Sequence, residues 1–289
     1  MALPYDPLWP RARSLFSKKV DTPADVMLVG VPASRTSLTP TSAHETPLAI
    51  RQALLRYSNF HTEPRVSLEK VSLGDAGDIT SPDDDEAKSI AELRTLSELS
   101  SMLIALGGDN SITYSAVKAT AATGLITLDA HYDLRDGISN GSPVRRLIKA
   151  GLSGKRVVQI GIADFSNSIE YAKRAKDYGI TVIPRSQLRR TNLEDIWATA
   201  LSIAGDKVFV DFDMDVCDRS VVPACPAAAP GGISADELRQ FAFLAGASPS
   251  VIGADITEID PMMDSGDERT VRLAALAVLE MIAGFSTRS

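Results

Sequence analysis

Apolar residues in this chain gather in short unbroken runs rather than in an alternating pattern. The runs are Val26–Val31, Met102–Leu106, Leu125–Leu128, Val157–Ile162, Ile180–Ile183, Val208–Phe212 and Val251–Ile256. They are rich in Val, Ile and Leu, and a strand that is apolar on both sides is one covered on both faces. The stretches between them carry helical spacing. Ile90, Leu93, Leu96 and Leu99 recur by threes, as do Leu273, Leu276, Leu279 and Ile282 near the end of the chain. Ser81-Pro82 followed by Asp83, Asp84, Asp85 and Glu86 predicts a helix start, with a capping hydroxyl, a first-turn proline and acids near the positive end of the helix dipole. Strand–helix alternation on this scale predicts an α/β fold built on one mainly parallel sheet with helices on both faces. No linker, repeat or low-complexity stretch divides the chain, so residues 1–289 read as a single domain. Ligands of such sheets bind beyond the carboxyl ends of the strands, so candidate chemistry belongs there.

Composition narrows the function classes. The chain is 44% hydrophobic and 23% charged, ordinary for a globular protein, and its length permits a large core. A net charge of −7 speaks against nucleic acid or an anionic membrane as partner. No apolar run is long enough to span a bilayer, and Met1–Pro10 lacks the basic-then-apolar order of a leader. Two cysteines, Cys217 and Cys225, exclude a disulfide scaffold and point to a reducing cytoplasm. Nothing adjacent in sequence would lower their pKa, so they read as inert.

Four strand ends carry the chemistry. Leu125–Leu128 runs into Asp129-Ala130-His131-Tyr132-Asp133. Positions i, i+2 and i+4 of an extended chain project to one face, so two carboxylates and an imidazole stand together there. Val208–Phe212 carries Asp211, continues into Asp213 and Asp215 on the same spacing, and is followed by Asp218. Carboxylates crowded at one place repel unless a cation or protons neutralise them. Two such strand ends in one sheet imply a shared counter-charge, and a metal pair supplies it. The remaining two ends are Gly107-Gly108-Asp109-Asn110-Ser111 and Asp255-Ile256-Thr257-Glu258. Blander readings stand beside these: His131 as a core histidine, Asp213 and Asp215 as a turn cluster, Asn110 as the cap of a helix starting at Ser111, Glu258 as a turn acid.

Gly-Gly-Asp-x-Ser, Asp-Ala-His-x-Asp, Asp-x-Asp-x-x-Asp and a late Asp-x-x-Glu, in this order, resemble the ureohydrolase superfamily of arginases, agmatinases and formimidoylglutamases. The resemblance implies an arginase-like three-layer α/β/α fold with a sheet of about eight strands, and a binuclear manganese centre. It also implies a homo-oligomer acting on a small-molecule substrate. Carried over by position, Asp129, His131, Asp133, Asp213 and Asp215 are the implied metal ligands, and oxygen ligands with one imidazole suit manganese. Asn110 stands where the superfamily usually has a histidine ligand; a neutral amide is the poorer donor, so one of the two ions would be weakly held. In the implied reaction water activated by the metal pair attacks an amidine carbon and the amine leaves. Asp133 and Glu258 are the implied catalytic residues, with Glu258 gripping the amidine.

Further departures bear on substrate. The shuttle histidine of arginases and agmatinases is absent; the chain reads Ser139-Asn140-Gly141-Ser142-Pro143 instead. Asp211 stands where serine is frequent, and Arg219 where proline is frequent. Asp133-Leu134-Arg135 with that loop resembles the formimidoylglutamase branch. The resemblance then implies N-formimidoyl-L-glutamate plus water giving L-glutamate plus formamide, a step of histidine catabolism. Arg135, Asn140 and Ser142 are the implied substrate contacts, with Arg145 and Arg146 close by in sequence. Arginine forks suit the two carboxylates, although Arg145 and Arg146 also read as a solvated helix face. Two alternatives remain open: a guanidino hydrolase of the agmatinase or guanidino-acid type, and a metal-deficient relative without activity.

Overall fold

The computed structural model describes residues 6–18, 21–63 and 65–288. The first five residues, part of the stretch without leader character, lie outside them. Eleven strands alternate with helices: β1 (Phe16–Lys18), β2 (Ala24–Val31), β3 (Phe60–His61), β4 (Val66–Ser67), β5 (Leu73–Asp78), β6 (Ser100–Gly107), β7 (Gly124–Leu128), β8 (Val157–Ile162), β9 (Thr181–Pro184), β10 (Val208–Asp213) and β11 (Val251–Thr257). The α-helices are α1 (Thr46–Ala53), α2 (Glu86–Glu98), α3 (Ile112–Thr120), α4 (Pro143–Lys149), α5 (Ile169–Tyr178), α6 (Arg185–Leu188), α7 (Leu193–Ala204), α8 (Ala235–Ala247) and α9 (Arg269–Phe285).

Nine strands form one sheet in the order β1-β5-β2-β6-β11-β10-β7-β8-β9. Every neighbouring pair in it is parallel. The predicted apolar runs fall in β2 and β6–β11. Two sheet strands escape that pattern: β5 reads LGDAGD, and β1 has three residues at the sheet edge. The short edge strand takes the expected count of about eight to nine. β3 and β4 pair antiparallel as a separate ribbon.

Successive residues of each strand feed opposite faces. Val26 and Leu28 pack into a core shared with α1, α7, α8 and α9. Met27 and Val29 pack on the other face against α2 and α3, and Leu125, Val157 and Phe209 against α3, α4 and α5. Two helical layers around a parallel sheet give the three-layer architecture. Phe209 and Phe212 are fully buried on opposite faces, so truncating either to alanine should cost about 3–5 kcal/mol. Among the described residues no helix is long and apolar enough to cross a membrane.

One predicted boundary moves. α2 begins at Glu86, and its cap is Asp85, which accepts a hydrogen bond from the Lys88 amide at 2.9 Å. Ser81 takes a left-handed backbone instead (φ 50°). The Asp83 carboxylate accepts from the amides of Ser34 and Arg35 (3.1 and 3.2 Å). The acidic cluster thus ties down the loop after β2, and only its last aspartate opens the helix.

The sheet order is what assembles the site. β6, β11, β10 and β7 are consecutive neighbours at its centre. Their carboxyl ends lead to Asn110, Glu258, Asp213 and Asp129, which lie far apart along the chain.

Candidate metal centre

Beyond β7 the chain bends at Ala130 and His131 and turns left-handed at Asp133, and beyond β10 it turns through Asp213 and Asp215. Ligand-capable atoms of Asp129, His131 and Asp215 lie within 4.8 Å of one another, as do those of Asp129, Asp133 and Asp213. The two triads share Asp129, which places two cation subsites side by side with one carboxylate between them. Local hydrogen bonds orient the ligands. Asp129 Oδ1 accepts from the His131 amide (2.6 Å) and Asp213 Oδ1 from the Asp215 amide (2.9 Å). Asp215 Oδ1 accepts from the Ala130 amide (3.0 Å), which joins the two strand ends. Asp129 Oδ2 is buried and has no hydrogen-bond partner. A buried carboxylate oxygen left without a donor at the junction of two acidic triads fits a bridging cation.

The electrostatics point the same way. Burial, then repulsion from Asp215, pushes Asp129 up to about 7. Burial also holds Asp133 and Asp213 well above the usual carboxylate range, helped by Asp129 and Asp215 respectively. His131 is the exception in sign: burial opposes its charge, but Asp215 and Asp129 prevail and push the imidazole up to about 12. Its Nδ1 lies 2.7 Å from Asp215 Oδ2, and Asp215 is held low, its burial outweighed by that imidazole. Without a cation the cluster is neutral only by retaining protons; divalent ions would displace them, as metal ligation requires. One step deeper in the sheet, Asp211 and Asp255 face each other in register, both fully buried. Burial, then Asp255, raises Asp211 well above the usual carboxylate range, and burial raises Asp255 to about 7.

Asn110 reaches the centre through a tight crossing. A Cβ on Gly108 would sit 1.9 Å from the Ala33 carbonyl oxygen, so only glycine lets the two backbones meet there. Asn110 Nδ2 then donates to Asp133 Oδ2 at 2.7 Å, and its Oδ1 accepts from the hydroxyls of Thr113 (2.6 Å) and Thr257 (3.2 Å). α3 starts at Ile112 with Ser111 as its cap residue, so Asn110 is not the cap; it stands beside the Asp129–Asp133–Asp213 triad. Glu258 Oε1 accepts from the Asn110 amide (2.7 Å) and from Asn140 Nδ2 (2.9 Å). Burial raises Glu258 to about 7 against those two donors. Asp133 and Glu258 both have left-handed backbones (φ 52° and 64°). Such conformations cost about 1–2 kcal/mol in non-glycine residues and concentrate at functional sites.

These groups open on a cleft of ≈ 360 Å³. Among the described residues lining it, Arg135 is the single arginine or lysine, facing Asp133, Asp213, Asp215 and Glu258. Gly141 makes room for it: a Cβ there would lie 2.7 Å from Arg135 Cδ. Asn140 also lines the cleft, but its amide is spoken for, with Oδ1 accepting from the Leu38 amide at 3.1 Å. The expected contact Ser142, and the nearby Arg145 and Arg146, engage other groups. The Ser142 hydroxyl is fully buried and closes a turn, accepting from the Ser139 amide (2.9 Å) and donating to the Ser139 carbonyl (2.8 Å). Arg145 pairs with Asp136 at 2.9 Å. Arg146 grips both Glu86 oxygens at 2.7 Å and lies 3.7 Å over the Tyr114 ring. Asp218 also turns away, closing the loop to Gly231 (2.6 Å), and Arg219 braces the carbonyls of Cys225 and Pro226. Both cysteines are buried, and burial pushes their thiols up, in keeping with an inert reading. The sequence offered no signal for the Ser37–Thr41 segment, Asn167 and Tyr171, which also line the cleft.

Comparison with known proteins matches this geometry. Residues 24–284 match the arginase family. The chain is 37% identical over 280 residues to a formimidoylglutamase of Halalkalibacterium halodurans, covering 91% of this chain and 88% of that one. Its structure superposes on the crystal structure of formimidoylglutamase from Bacillus subtilis with a TM-score of 0.91 at 32% identity, covering 99% and 95% of the two chains. Trypanosoma cruzi formiminoglutamase with Mn2+2 gives a TM-score of 0.91 at 27% identity, covering 97% of this chain and all (100%) of that one.

Proposed function

The chain belongs to the arginase family, and we propose that it hydrolyses N-formimidoyl-L-glutamate to L-glutamate and formamide with two manganese ions. The observation that carries this reading is the charge layout of the cleft. Four carboxylates line it, and Arg135 is the single arginine or lysine among its described lining residues. A substrate with an amidine at one end and carboxylates at the other fits that dipole. Agmatine, cationic at both ends, would set one charge against Arg135.

Asp129, His131 and Asp215 would hold one ion, and Asp129, Asp133 and Asp213 the other, with Asn110 beside the second. Bound manganese would acidify water and neutralise charge on the reacting carbon's substituents. The chain's own residues do the rest. Glu258, fixed by the Asn110 amide and Asn140, receives the amidine N–H groups. Asp133, buried at the cleft, would take the proton released by the attacking water and return it to the departing glutamate nitrogen. That transfer stands in for the missing histidine shuttle. Arg135 offers a fork to the substrate carboxylates. Intact triads speak for an active enzyme rather than a silent relative. The chain would act as one domain, in the cytoplasm, and as a homo-oligomer by family resemblance.

The test is a product assay. Manganese-loaded protein is incubated with formimidoylglutamate, agmatine and arginine, and formamide and urea are measured. Formamide from formimidoylglutamate should appear fastest. Faster urea release from agmatine would overturn the substrate while leaving the metal centre standing.

A further inference from the structure

We propose that Asn167 is a positioning residue for His131, the one histidine of the metal centre, acting as a two-point clip on the backbone around it. The inference rests on the metal reading above. Regular pairing of β7 with β8 ends at Leu128 opposite Ile160. The residues that follow carry the ligands, and their peptide groups need partners of another kind. The Asp129 amide still donates to the Ile160 carbonyl (3.0 Å), and the Ala163 amide to the Ala130 carbonyl (3.0 Å). Beyond that point no backbone of β8 is in register.

Asn167 takes over. Its Oδ1 accepts from the Tyr132 amide at 3.0 Å, and its Nδ2 donates to the Ala130 carbonyl at 2.8 Å. These two groups belong to the peptide units on either side of His131. One planar amide therefore holds both units, and with them φ and ψ of His131, as a neighbouring strand would. Gln159 Nε2 adds a bond to the Tyr132 carbonyl at 3.0 Å. The clip is itself anchored: the next residue, Ser168, caps α5 by accepting from the Tyr171 amide.

His131 is the ligand that most needs this support. Its side chain is 29% exposed, whereas those of Asp129 and Asp215 are 0% and 3% exposed. Only a primary amide of this length supplies a donor and an acceptor at that spacing. Aspartate keeps the acceptor for Tyr132 and loses the donor to Ala130; alanine loses both. Groups that orient metal ligands typically carry about 10–100-fold in affinity or activity.

The experiment titrates manganese into chelator-stripped full-length protein by calorimetry, for wild type, Asn167→Asp and Asn167→Ala. Melting of the stripped proteins and steady-state kinetics are measured in parallel. In Asn167→Ala the tighter manganese equivalent should weaken about 10–100-fold. Asn167→Asp should fall between it and wild type. Melting of the stripped variants should stay near wild type, and kcat should recover at saturating manganese. Wild-type manganese affinity in Asn167→Ala would overturn the clip. So would equal weakening of both equivalents together with a lower melting point, which is general loosening. A wild-type chain that bound no manganese would overturn the metal reading and the clip with it.

Discussion

Chelator-stripped protein should lose stability as pH rises from 5 to 8, and manganese should oppose that loss. Burial pushes Asp129, Asp255 and Glu258 each up to about 7, far above their values in an unfolded chain. For an acid raised in the folded state, the folded chain holds the proton longer. Its stabilising contribution is complete below the unfolded pKa and disappears as pH rises through about 7. His131 acts in the same direction, since its raised pKa gives stability that fades upward from neutrality. Asp215 is lowered, but its contribution is lost only in acid, outside this window. Between pH 5 and about 7, one such carboxyl is worth about 2.7 kcal/mol. With a melting entropy of about 0.6 kcal/mol/K for a chain of 289 residues, that is about 4–5 °C for Asp129 alone. Manganese at one hundred times its Kd returns about 2.7 kcal/mol per ion, a further 4–5 °C or so. Because ligands bind metal deprotonated, the manganese-induced shift should be larger at pH 8 than at pH 5. Scanning calorimetry of metal-counted samples across this range is the assay. A stripped protein whose Tm rose with pH, or a manganese shift equal at both ends, would refute the reasoning.

Three substitutions extend the test. Asn110→His places an imidazole beside Asp133 and should tighten the weaker manganese equivalent about tenfold, read by calorimetric titration; an unchanged affinity would place Asn110 away from the ion. Arg135→Ala should lower kcat/KM for formimidoylglutamate about 10–100-fold, the worth of a charged hydrogen bond, and change that for a neutral amidine far less. Glu258→Gln should lower kcat/KM by a similar factor. It should also raise the Tm of stripped protein at pH 8 but not at pH 5, because it removes a buried carboxyl whose ionisation is unfavourable.

Much of this centre was legible from local pattern. Spacing of i, i+2 and i+4 just past a strand grouped Asp129, His131 and Asp133 before any coordinates, as it did Asp213 and Asp215. The chain nevertheless bends at Ala130 and His131, and Met214–Val216 forms a 3-10 turn, so proximity in sequence rather than a strand face brings them together. Unbroken Val/Ile/Leu runs announced strands buried on both sides. Where the pattern was weak it failed: β5 has glycines and acids where a run would be, and Asp83, just after Pro82, was claimed by the backbone of Ser34 and Arg35.

Partner choice at long range was beyond such reasoning. Arg145 and Arg146 follow the metal motif as closely as a substrate clamp would, yet Asp136 holds one and Glu86, sixty positions away, holds the other. Ser142 turned inward to its own loop, and Asn167, without any motif, reached the backbone beside His131. Spacing along the chain determined which ligands gather at one strand end, because only one residue separates each from the next. Which strands lie side by side, β6 by β11 by β10 by β7, was decided by helical crossovers that pack each strand beside a distant one, and only that order closes two triads around Asp129.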